Sequence, residues 1–187
     1  MKKTTQKLVG SALLAALAVI FARIIGMMPE ASARFSIEAV PIFLAGLLYG
    51  PVYGPLVGLV SDSLGCLLSP YGFNPLFCIP PVLYGLCGGL LRPLLQRGMS
   101  LWKLALGFLL PVVLGSVLWQ SLALAMVYGS GATLWESYLG FLTARSVQFA
   151  VTYAVDVAII ALLCRSNLFY RLGYLPQWKR RNENENR

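Results

Sequence analysis

The chain contains no histidine, so the commonest general base and the commonest metal ligand are both missing. Charge is scarce: 12% of the 187 residues are Asp, Glu, Lys or Arg, and only seven of them are acidic. A soluble domain of this length needs far more charge to cover its surface. The four cysteines, Cys66, Cys78, Cys87 and Cys164, form no CxxC pair and lie inside apolar runs. That pattern excludes a zinc ribbon or a regular disulfide framework and reads as small buried residues. No GxxxxGK[ST] occurs, so any use of ATP must come from partners.

What is abundant is hydrocarbon. Hydrophobic residues make up 58% of the chain and the mean hydropathy is +0.72, which makes this an integral membrane protein. The N-terminal MKKTTQKLVGSALLAALAVIFARIIG resembles a signal peptide, but its apolar run is longer than an h-region and leads into further apolar segments, so it reads as a retained first helix. Apolar stretches and turn residues then divide the chain into six helices: about Leu8 to Met28, Ile37 to Tyr49, Val52 to Leu68, Asn74 to Leu95, Leu101 to Tyr128 and Leu134 to Cys164. Gly50-Pro51 ends the short second helix because proline lacks the donor to continue it. Pro80-Pro81 is expected to kink the fourth. The expected fold is all-α, a polytopic six-transmembrane-helix bundle with both termini cytoplasmic. Residues 1–178 form one membrane domain, and 179–187 form a polar tail expected to be disordered.

The orientation comes from lysine and arginine. With the N-terminus in the cytoplasm, twelve of the fifteen basic residues fall on the inner side: three near the start, three around Arg97 and six from Arg165 to Arg187. The formal charge of +8 therefore reports topology and attraction to anionic lipid, not nucleic acid.

The remaining polar groups converge in the outward half. Arg34 lies in the first outer loop, and Glu38 opens the second helix. Asp62 is in the third helix, and Tyr71, Phe73 and Asn74 lie at the loop before the fourth. Trp119 and Gln120 are in the fifth, and Arg145 and Gln148 in the sixth. Glu136 reads as interfacial, and Asp156 falls toward the inner side with no assigned role. An ionised side chain at a helix centre costs about 2.5–3.5 kcal/mol on insertion scales, so such a set needs mutual pairing or a wet pocket. An internal Arg145–Asp62 bridge is the plainer alternative. As a pocket, the set offers arginine forks for carboxylates, carboxylates for N–H donors, and Tyr, Phe and Trp for flat rings. It suits a flat, aromatic, anionic small molecule rather than an inorganic ion. On the first helix, Ala12 and Ala16 form a small-residue pair, and Ala15, Ala18, Ala22 and Gly26 form another face. Such faces suit close packing within the bundle or docking to a partner subunit.

Residues 34–89 carry a family resemblance. IEAVPIFLAGLLYGP, GLVSDSLGCLLSPYGFNP and PPVLYGLCGG resemble the substrate-binding S components of energy-coupling factor (ECF) vitamin transporters, most closely the folate-specific group. The Ala12–Ala16 pair resembles that family's docking motif. The resemblance implies a six-helix protein with no cofactor, no metal and no enzymatic activity. It binds one vitamin near the extracellular side, docks on a transmembrane coupling (T) subunit with two cytoplasmic ATPase subunits, and topples in the bilayer to deliver the vitamin. For folate, Arg145 or Arg34 would hold the glutamate carboxylates and Asp62 or Glu38 would accept from the pterin. Trp119, Tyr71 and Phe73 would stack, while Asn74, Gln120 and Gln148 fill polar edges. The loops from Pro29 to Ser36 and from Ser69 to Phe73 would gate the site. Alternatives are an S component for another vitamin, a structural bundle subunit, or an enzyme acting on lipid headgroups; against the last stand the missing histidine and the dispersed carboxylates.

Overall fold

The computed structural model describes residues 2–24, 37–67, 74–96, 100–129, 133–166 and 169. The elements among them are six helices: α1 (Lys2–Ile24), α2 (Ala39–Tyr49), α3 (Tyr53–Leu67), α4 (Pro75–Gln96), α5 (Leu101–Tyr128) and α6 (Leu134–Arg165). Arg34, Tyr71, Phe73, both candidate gate loops and the 179–187 tail lie outside the described residues.

The sequence predicts six crossing helices. Among the described residues six helices are present, and four of them (α1, α4, α5 and α6) are long and apolar enough to cross a membrane. The eleven residues of α2 and fifteen of α3 reach only about 16 and 22 Å, against a hydrocarbon core of about 30 Å. All eleven residues of α2 are buried, because the helix is surrounded by protein on α1, α3, α4 and α6. It stops at Gly50, whose φ of 107° favours glycine, and the Gly50 N–H donates to Gly46 O at 2.8 Å. Pro51 then prevents continuation.

Glycine lets α2, α3 and α4 come together. A Cβ on Gly46, Gly54 or Gly85 would run into backbone atoms of the facing helix, with the Gly85 carbonyl the shared obstacle for the first two. In lipid, where burial against a neighbour gains little over burial in acyl chains, such backbone proximity supplies the dispersion that holds helices together.

The prolines have local answers. Asn74 precedes α4 and caps it, its Oδ1 accepting from Leu76 N at 3.1 Å, and Pro75 takes the first helical position. Pro80 deprives the Leu76 carbonyl of its usual donor four residues on. The indole N–H of Trp119 from α5 donates to that same carbonyl at 2.9 Å, so α4 runs through Pro80 and Pro81 to Gln96. In α5, Pro111 is followed by a π-helical stretch, Val112–Trp119, before the helix returns to α geometry over Gln120–Tyr128. In α6, Thr133 and Glu136 form a capping box, which gives Glu136 a structural task at the helix start.

An aromatic column fills the centre. Phe108 of α5 meets Phe43 of α2 edge-on with centroids 5.0 Å apart, lies 5.4 Å from the Tyr84 ring of α4, and stacks on Tyr153 of α6 at 6.1 Å. The Tyr153 hydroxyl donates to Ala105 O at 2.9 Å, so the polar tip of this ring is satisfied inside the apolar bundle.

Candidate functional site

Helix α6 carries Arg145, Gln148, Phe149, Thr152 and Asp156 at offsets of three, four, seven and eleven residues, which places them on one face. That face points inward: Gln148, Thr152 and Asp156 are all buried, Asp156 to 2% exposure. Thr152 Oγ1 donates to Gln148 O at 3.1 Å. The Arg145 guanidinium lies 5.5 Å from the centroid of the Phe149 ring, and Nη1 donates to Ser116 O at 3.4 Å.

The π-helical stretch of α5 explains that contact. It gives the Gln120 N–H to Gly115 O, five residues back, where an α-helix would give it to Ser116 O. The Ser116 carbonyl is thereby turned over to Arg145. The Ser116 hydroxyl pairs with the Tyr84 hydroxyl of α4 at 2.8 Å, both side chains buried. Tyr84 is within electrostatic reach of Arg145, Asp156 and Glu38, and Asp156 is within reach of Glu38. One interior cluster therefore joins α2, α4, α5 and α6, with a cation toward one end and two carboxylates at the other.

Two positions differ from expectation. The sequence places Glu38 at the outer opening and Asp156 toward the inner side; in the structure they lie within electrostatic reach of each other. The reason is the length of α2. Its last residue, Tyr49, puts its hydroxyl where a Cβ on Gly10 of α1 would sit, near the end at which α1 begins. Running back about 16 Å from there brings Glu38 only to the middle of the bundle.

The other candidates form a second, shallower layer. Asp62 Oδ2 accepts from the Cys78 thiol at 2.6 Å. Asn74 and Trp119 meet at Leu76, one at its N–H and the other at its carbonyl. Gln120 follows Trp119 and is half-buried. Tyr84 is six residues further along α4 than Cys78, about 9 Å deeper. The two polar layers are thus stacked rather than merged. An apolar hollow of about 310 Å³ between α3 and α4 is lined by Leu59, Pro75, Cys78, Ile79, Val82 and Leu83; its walls offer no charge for an ionic ligand. Among the described residues no group of three or more His, Cys, Asp or Glu is placed to hold a metal ion.

Sequence reasoning passed over Tyr84, Ser116, Phe149 and Thr152 and left Asp156 unassigned. The spacing along α6 was a usable signal for Phe149, Thr152 and Asp156. Tyr84 and Ser116 gave none, since a lone Tyr or Ser in an apolar helix is common packing.

On α1, Ala15 and Ala18 are buried, whereas Ala12 and Ala16 are exposed beside Leu13, Leu17 and Ile20. The two small-residue faces are thus divided, one turned into the bundle and one left open.

The family described as "ECF-type riboflavin transporter, S component" matches residues 2–168. The crystal structure of FolT bound with folic acid superposes with a TM-score of 0.72, covering 85% of this chain and 92% of that one at 24% identity; the likeness is one of fold. The uncharacterized MG313 homolog of Mycoplasma pneumoniae is 26% identical over 182 residues, which are 95% of this chain and 61% of that protein. The chain thus spans about three-fifths of the length of that curated relative.

Proposed function

Because the chain belongs to the S components of ECF-type transporters, we propose that it captures folate on the extracellular side and delivers it to the cytoplasm when docked on an energy-coupling module. It is a multi-pass protein of the cell membrane and a transport protein, not an enzyme. That sets aside the reading as a lipid-headgroup enzyme.

The observation that carries folate is Arg145, half-buried on the inward face of α6 at the edge of the Tyr84–Ser116 pair. The planar guanidinium fork of an arginine matches a carboxylate geometrically. Folate brings carboxylates, whereas riboflavin is neutral. Arg145, with Arg34, holds the glutamate carboxylates, and Glu38 accepts from the pterin. Phe149, Trp119, Tyr71 and Phe73 offer ring faces; Gln148 and Gln120 supply mixed polar edges. Asp62 and Asn74 act at the rim, where Asp62 already holds the Cys78 thiol and Asn74 caps α4. The basic end of the chain faces the cytoplasm, and the T subunit with its two ATPases docks from the membrane and cytoplasmic sides. Riboflavin is the second reading, favoured by the description of the matching family.

Isothermal titration of the purified full chain with both vitamins tests this. Micromolar or tighter folate binding is expected, with riboflavin weak or absent; the reverse order overturns the folate reading. Arg145→Gln is expected to weaken folate by about 10- to 100-fold, the range for a lost charge-assisted hydrogen bond. It should change binding of 6-methylpterin, which carries no carboxylate, much less.

A further inference from the structure

Asp156 is 2% exposed and its Oδ1 is buried without a hydrogen-bond partner. It stands at the end of the inward face of α6 opposite Arg145, with the Glu38 carboxylate and the Tyr84 ring within electrostatic reach. A buried polar atom left unpaired costs stability, so Asp156 Oδ1 is favourably placed only when a donor is supplied to it. Carboxylates ionised here can only accept. A flavin presents one N–H between two carbonyl oxygens, whose lone pairs would face the carboxylate. A 2-amino-4-oxo-pyrimidine edge, as on a pterin, presents a ring N–H beside an amino group, two donors side by side.

We infer that Asp156 is a ligand-binding residue that reads a pair of adjacent N–H donors on the flat heterocycle of the ligand. The site then has a polarity of its own, an acceptor end at Asp156 and Glu38 and a cationic end at Arg145. It orients the ligand with its donor-rich ring deep and its anionic end toward Arg145. The inference rests on the folate reading for its first probe.

The test is a cycle of two ligands and two proteins: folate and 2-desaminofolate, titrated into wild type and Asp156→Asn. In wild type, removal of the amino group should weaken binding by about 10-fold or more, and Asp156→Asn should weaken folate by about 10- to 100-fold. In the variant the gap between the two ligands should close to within about threefold. A gap that persists unchanged, or folate binding untouched by Asp156→Asn, overturns the assignment. Glu38→Gln, run in parallel, reads the other carboxylate and keeps the test decisive if Asp156→Asn does not fold. Should wild type bind riboflavin and not folate, the folate reading fails, and the same cycle runs with riboflavin and N3-methylriboflavin, which lacks the one ring donor. Closure of that gap in Asp156→Asn supports the role of Asp156, and persistence overturns it. Binding of neither vitamin overturns both readings.

Discussion

Trp119 shows how one side chain can answer a problem created on another helix. Pro80 leaves the Leu76 carbonyl without its helical donor, and the indole N–H of Trp119 takes it at 2.9 Å. In hydrocarbon no water is at hand to substitute. Trp119→Phe keeps the ring but loses the donor, and is expected to destabilise by about 1–3 kcal/mol, seen as a lower thermal unfolding midpoint of the purified protein. Pro80→Ala combined with Trp119→Phe should recover most of that loss, because alanine in place of the proline restores an N–H within α4. Equal destabilisation with and without Pro80 would mean that ring packing, not the donor, matters at this site. The same logic separates side chains with a structural task, such as Asn74 at the start of α4 and Glu136 in its capping box, from Asp156, whose buried Oδ1 has no such task.

At the scale of elements, the π-helical stretch of α5 and the glycine contacts of α2, α3 and α4 position the interior cluster. Removing one residue from Val112–Trp119 should restore α register. The Ser116 carbonyl then returns to an intrahelical donor and Arg145 loses it. Folate affinity is expected to fall by about 10-fold or more while helix content by circular dichroism stays level. Unchanged affinity in that deletion would show that the register of α5 does not set the site. The glycines make a sharper contrast. Gly85→Ala drives a Cβ into the backbone of Gly54 and Pro55 and should cost about 1–3 kcal/mol or more. Gly140→Ala, where nothing lies within 4 Å, should be neutral or stabilise by up to about 1 kcal/mol. Thermal unfolding of both variants checks the pair.

At the scale of the molecule, α1 divides its small residues between two surfaces. Ala15 and Ala18 pack inward at 6% and 1% exposure, whereas Ala12 and Ala16 stay open. Ala12→Trp and Ala16→Trp are therefore expected to leave vitamin binding by titration within about threefold while uptake with the coupling module falls at least about 10-fold. Ala15→Trp and Ala18→Trp should instead lower stability and binding together, since overpacked cores force neighbours apart. Loss of binding in the first pair would assign the open face to internal packing.

The sequence by itself determined the membrane solvent, the number and approximate limits of the helices, the break at Gly50-Pro51, the small-residue faces of α1 and the presence of costly polar groups in α6. Each of these depends on local composition or on residues a few positions apart, where chain geometry is set by the backbone alone. Only the tertiary structure decided which polar groups meet. Reading depth along the chain put Glu38 and Asp156 on opposite sides, because it assumed that every helix crosses fully. The short, enclosed α2 leaves them within electrostatic reach of each other. Tyr84 and Ser116 are 32 residues apart and joined at 2.8 Å, a pairing that depends on how α4 packs against the π-helical stretch of α5. The Trp119–Leu76 bond spans 43 residues for the same reason: contacts between helices follow from packing, and in an almost uniformly apolar sequence the packing leaves little trace in the pattern of residues.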